Sequence, residues 1–148
     1  MVGERERRQR TKEMAKTISY KNKQEKPFAH MFFFQLCDTS PDLVDRFVDL
    51  CEKYLGGHPG QQHFSIGVRA LEIHRDVSGT NFEVSVHMIF DDIDAFNAYS
   101  ESPTHEEFIT ESAGMSPERI VYDSYLELQL LPDAAGPKAR RAAAIVGK

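Results

Sequence analysis

The sequence predicts an α+β fold in which one antiparallel four-stranded sheet carries two helices on a single face. Three observations point there. An apolar run, FAHMFFFQLC at residues 28–37, opens the patterned part of the chain. Strand-like alternation returns at 63–76, 81–90 and 119–131, and stretches of helical spacing follow Ser40 and the Asp91, Asp92 pair. The resulting order is strand, helix, strand, strand, helix, strand, the split arrangement called ferredoxin-like. With 148 residues the chain has room for one domain around one core. That domain is assigned to residues 27–132, between a basic, flexible arm at 1–26 and a flexible Ala- and Arg-rich tail at 133–148.

The arm has neither helical nor strand periodicity before Pro27. In the first strand Phe28, Phe32, Phe34 and Leu36 point one way and Met31, Phe33 and Cys37 the other, so both faces are apolar. Ser40 followed by Pro41 is an N-cap and first-turn signature. Leu43, Phe47, Leu50, Cys51 and Tyr54 then recur at helical spacing until Gly56 and Gly57 stop the run. Asp42, Asp45, Asp49, Glu52 and Lys53 form the solvent side.

After the turn at residues 58–60, two alternating runs flank Ser78 and Gly79 as a hairpin. In its second strand Phe82, Val84, Val86, Met88 and Phe90 share one face, and Glu83, Ser85, His87 and Ile89 share the other. Asp91 or Asp92 caps a helix carrying Ile93, Phe96 and Tyr99. Ser102 and Pro103 break it and start a second piece with Phe108 and Ile109. RIVYDSYLELQLL at 119–131 is the last strand, and Pro132, Gly136 and Pro137 close the patterned region.

Two helices cover only one side of such a sheet, which leaves the second apolar side of the first strand bare. A bare apolar face of several hundred Å² is unusual on a monomer, so the pattern predicts a homodimer packed sheet to sheet.

Charge is unevenly placed. Residues 1–26 hold nine Lys or Arg against four acids, and residues 133–148 hold four against one. The body between them holds five basic residues against 18 acids, a net charge of −13. A body that acidic is a poor surface for phosphates, so no nucleic acid is expected on the domain itself. The basic arm reads first as a solvated leader, or as upstream sequence with Met14 the true start; contact with an anionic partner is the other reading. No stretch approaches the ~18 apolar residues of a membrane span, and no apolar secretory core follows the N-terminus. A cytoplasmic protein without membrane contact is expected. Cys37 and Cys51 form neither a CxxC pair nor a disulfide-rich pattern.

The first strand, the TSPD helix start, the MIFDD hairpin end, the AYSESPTHEEF segment and the closing VYDSYLE together resemble the stress-responsive A/B barrel (Dabb) family over residues 27–132. The resemblance implies a ferredoxin-like domain paired into a dimeric α+β barrel. It also implies a role in stress and binding of a small apolar or aromatic molecule. Pro103, Thr104, His105 and Phe108 fill a local pattern of the family, one shared with related antibiotic-biosynthesis monooxygenases. A minority of members resemble plant polyketide cyclases, which close a poly-β-keto chain with a Tyr and a His on this segment. Tyr99 and His105 have the spacing of that pair, and His30 matches a first-strand His. A further cyclase His falls at Val84 here, whereas His87 stands three residues later on the opposite strand face.

As residues, these positions have two readings each. His105 would be the third residue of the helix that Pro103 opens, where unpaired N–H groups and the helix dipole favour a neutral imidazole. Neutral His is what a general base needs, with Tyr99 polarising a carbonyl and His30 as an orienting or electrophilic group. The bland alternative has His105 packing under the kink and His30 as a hydrogen-bonded core residue. His87 and Phe108 are candidates for ligand contact or for the dimer seam. The six His show neither an HxxxH helix pair nor an HxH strand pair, so no metal site is expected. No GxGxxG motif or axial haem ligand stands out, and no cofactor is expected. The functional readings are therefore a small-molecule-binding homodimer, a cofactor-independent enzyme resembling the cyclases, or a cofactor-free monooxygenase.

Overall fold

The computed structural model describes residues 3–17 and 22–130. In chain order the elements are α1 (Glu4–Thr17), a short 3₁₀ turn (Lys23–Glu25), β1 (Phe28–Gln35), α2 (Pro41–Leu55), β2 (Gln61–Val68), β3 (Val84–Phe90), α3 (Ile93–Ser100), α4 (Pro103–Glu111) and β4 (Glu118–Tyr125). The strands form one sheet in the order β2-β3-β1-β4, with every neighbouring pair antiparallel. The split β-α-β arrangement expected from the sequence is the one observed.

β1 is central because it is the strand with apolar side chains to offer both ways. Its Phe28, Phe32, Phe34 and the following Leu36 are buried beneath the helices with Val84, Val86, Met88 and Phe90 of β3. Phe47, Cys51, Tyr54 and Leu55 of α2 and Tyr99 and Phe108 of α3 and α4 close this core from above. Phe34, Phe47 and Phe108 meet edge to face, with ring centroids 4.8 to 6.2 Å apart.

Helix boundaries follow local chemistry. The Ser40 hydroxyl accepts from the Leu43 N–H at 3.3 Å and Pro41 fills the first turn. α2 ends at Leu55, just before Gly56, and Gly57 takes a positive φ of 79°. Gly60 has φ 75°, and a Cβ there would lie 2.6 Å from that of Ala95, so only glycine lets this turn sit against α3.

Three departures from the sequence expectation have physical causes. The second strand stops at Val68 instead of running to residue 76, because residues 69–83 leave the ladder and fold into turns. The Arg69 N–H and Glu83 carbonyl close that loop at 3.0 Å. The alternation of Leu71 and Ile73 is thus not strand pairing, and both side chains are exposed. The last strand stops at Tyr125, where β1 gives out, and the Leu126 N–H bonds the Pro27 carbonyl at 2.9 Å. Residues 4–17, read as patternless, are helical. No apolar stripe marks this helix, and Glu4 pairs with Arg7 and Arg8 at 3.4 and 3.0 Å along its exposed side. The expected flexible tail at 133–148 lies outside the described residues.

Candidate functional site

Strand alternation puts His30 on the helix-facing side of β1, between Phe28 and Phe32. Only 6% of it is exposed. Across the ladder it stands opposite Asp123 of β4, and its Nδ1 pairs with the Asp123 carboxylate. Burial holds the imidazole below its ordinary pKa and outweighs the opposing pull of Asp123. In the neutral ring Nδ1–H donates to Asp123, which leaves the Nε2 lone pair free.

Tyr99 descends from the last turn of α3 into the same space. It is 2% exposed, and its hydroxyl has no hydrogen-bond partner among the described residues. Burial pushes its phenol well above the ordinary range, so the group remains a donor. Aromatic rings surround it: His58 at 4.8 Å, His105 at 5.0 Å, Phe90 at 5.2 Å and His30 at 6.0 Å between centroids.

His105 is the third residue of α4, as the Pro103 signature implies. Burial is the largest cause of its lowered pKa, followed by the charges of His30, Arg119 and His58. Ser102 fixes its distance from Tyr99. The Ser102 hydroxyl accepts from the His105 N–H at 3.1 Å and donates to the Tyr99 carbonyl at 2.8 Å. One side chain thereby caps α4 and ties it to α3.

The structure thus brings Tyr99, His105 and His30 together and does not bring His87 or Phe108 to them. His87 lies on the opposite sheet face, where its Nε2 is 3.0 Å from the Ser85 hydroxyl and its ring meets Phe33 edge-on at 6.2 Å. Burial and then the neighbouring His63 lower its pKa. Phe108 is a core ring, 4% exposed.

Sequence reasoning missed Asp123, His58 and Arg119. The signal for Asp123 was a lone acid on the β4 face made by Arg119, Val121, Asp123 and Tyr125. Its partner depended on the β1–β4 register. His58 follows the Gly56, Gly57 helix stop, and its Nε2 lies 2.8 Å from the Tyr54 carbonyl at the end of α2. Its other ring contact is the Tyr99 ring.

The edge strand β4 lies between the cluster and solvent. Val121 is 37% exposed and the Asp123 side chain 45%, while His30 and Tyr99 behind them are buried. Among the described residues, no group of three or more His, Cys, Asp or Glu is placed to hold a metal ion. No helix of the described residues is long and apolar enough to cross a membrane.

The profile of the family described as "Stress responsive A/B Barrel Domain" matches residues 28–126. No protein among the curated sequences matches the chain. Solved structures do. A dimeric ferredoxin-like protein of unknown function from Thermobifida fusca is 22% identical, with a TM-score of 0.57 over 74% of this chain and 99% of its own. A Dabb family protein with a ferredoxin-like fold from Mesorhizobium loti is 23% identical, with a TM-score of 0.56 over 70% and 99%. A hydroxynitrile lyase from Passiflora edulis is 15% identical, with a TM-score of 0.57 over 71% and 97%. At these identities the likeness carries the fold alone.

Proposed function

Because this chain belongs to the stress-responsive A/B barrel (Dabb) family, we propose that it acts as a homodimer. In this reading it binds a small carbonyl compound with an apolar or aromatic body between β1, β4 and the α3–α4 kink, and moves a proton on it without a cofactor. The observation that carries this reading is the buried Tyr99 hydroxyl, left without a partner among the described residues and lying beside an imidazole oriented by Asp123. A buried donor with no acceptor costs about 1–3 kcal/mol, which a ligand carbonyl would recover.

The roles differ from those the sequence suggested. His30 is the better base, because Asp123 holds its Nδ1 and stabilises the imidazolium formed when Nε2 takes the α-proton. Tyr99 donates to the carbonyl oxygen as enolate charge develops there. Neutral His105 faces the Tyr99 ring as a second polar group. The proton then returns from His30 to carbon, or the enolate carbon attacks a second carbonyl within the same molecule, whose oxygen takes up the electron pair and then the proton from His30.

The test is deuterium entry from D₂O into the acetyl methyl group of methyl 4-acetylbenzoate, followed by NMR. The wild type should accelerate it, His30→Gln should lose about 100-fold or more, and Tyr99→Phe about 10-fold or more. No acceleration by the wild type, with thermal stabilisation by the ketone retained, would leave a binding protein without this chemistry.

The homodimer reading is supported by the outer sheet face. There Met31 and Phe33 lie beside exposed Ile120 and Tyr122 and a shallow depression of about 580 Å³ lined by Phe33, Gln35, Asn81 and Ile120 and bordered at the end of β4 by Glu118 and Arg119. A self-packed sheet would cover this surface and make His87 a seam residue. We further propose a stress role, drawn from the family, and a cytoplasmic location, drawn from the sequence.

A further inference from the structure

From the placement of Arg119 we infer that the molecule bound at this site carries an anionic group, of the carboxylate class, remote from the carbon that exchanges its proton. The inference rests on the functional reading above and adds the substrate class. The domain body is strongly acidic, and its five basic residues are Arg46, Lys53, Arg69, Arg75 and Arg119. Of these, Arg119 is the one on the helix-facing side of β4, the side that carries Asp123. The parity is fixed twice: Asp123 meets His30 and Tyr125 meets Phe28 on that side. Arg119 is opposite Phe34 in the register, and its field reaches both Tyr99 and His105.

Among the described residues its guanidinium has neither an ion pair nor a hydrogen bond. This cation stands close enough to His105 and Tyr99 to act on both, and among the described residues no anion is paired with it. What it suits is an anion brought from outside. Arg119 and Asp123 are four residues apart, roughly 13 Å along the strand, and the long Arg side chain shortens the gap to be spanned. The open edge is therefore positive at one end and negative at the His30 end, so a charged ligand has a preferred direction. The reacting carbonyl belongs near His30 and Tyr99, and the carboxylate belongs at Arg119. An aromatic keto acid with its two groups at opposite ends of the ring fits this spacing.

The experiment measures Kd by NMR titration for 4-acetylbenzoate and for its neutral methyl ester, alongside deuterium exchange of the acetyl methyl group of each. Wild-type protein should bind the carboxylate about tenfold or more tightly than the ester, with a preference that shrinks at high salt. Arg119→Gln should bring the two within about twofold, and Arg119→Lys should keep part of the difference. His30→Gln should abolish exchange and keep the preference. Equal wild-type affinities, binding of neither probe, or a preference that survives Arg119→Gln at low salt would overturn the inference. Retained preference with no exchange by the wild type would instead reject the proton-transfer reading and leave the anion site standing. Arg119 is exposed on an edge strand, and an unchanged circular dichroism spectrum of Arg119→Gln would show that folding is not the cause.

Discussion

At the scale of single residues, the site combines groups that stability alone does not favour. Tyr99 buries a hydroxyl that has no hydrogen-bond partner among the described residues. Tyr99→Phe should therefore raise the stability of the ligand-free protein, by about 1 kcal/mol, and weaken carbonyl binding at the same time. Denaturant unfolding with and without the ketone measures both; destabilisation of the free protein would mean that the hydroxyl has a partner. His30, His87 and His105 all have pKa values lowered by burial. Below the ordinary histidine pKa the unfolded chain takes up protons that the folded one refuses, so stability falls as the pH drops. The melting temperature should accordingly decrease from about pH 7 to pH 5, and His105→Gln should flatten that slope. A melting temperature that rises toward acid pH is the opposite result. His30 itself illustrates why chemistry was only half legible. Its residue type and strand were plain in the sequence, but the Asp123 that orients it lies 93 positions away.

Among the elements, the α3–α4 kink is the device that pairs Tyr99 with His105. Ser102 joins the two helices through one hydroxyl, and Pro103 forbids their merging. Ser102→Ala should cost about 1 kcal/mol as a lost cap and loosen the fixed distance between the two rings. A fall in exchange activity larger than the stability loss explains would register that loosening; an unchanged rate would assign Ser102 to capping only. The kink was readable because Ser-Pro is local chemistry, as were the Ser40 cap and the Gly56, Gly57 stop. Elements whose ends depend on pairing were not. β2 and β4 are shorter than their alternating patterns because neighbouring strands run out, and Leu71, Leu128 and Leu130 continue the alternation with their side chains exposed. The helix at Glu4–Thr17 escaped for the converse reason: its ion pairs leave no apolar period to read.

For the whole molecule, β1 organises everything. One of its faces makes the core and carries His30, and the other presents Met31 and Phe33 beside exposed Ile120 and Tyr122. Phe33→Glu together with Tyr122→Glu should shift the mass in solution from two chains to one, as read by sedimentation or scattering at micromolar concentration. A wild-type mass of one chain would refute the dimer. On the other face lies the buried Tyr99 hydroxyl, the proposed partner of a ligand carbonyl. The most direct measurement of that pairing is the ¹³C resonance of methyl 4-acetylbenzoate labelled at the ketone carbon. On wild-type protein the bound signal should move downfield, as hydrogen bonding polarises the carbonyl, and in Tyr99→Phe it should return toward the free position. A bound ketone whose signal does not move, or moves equally in Tyr99→Phe, would contradict the account.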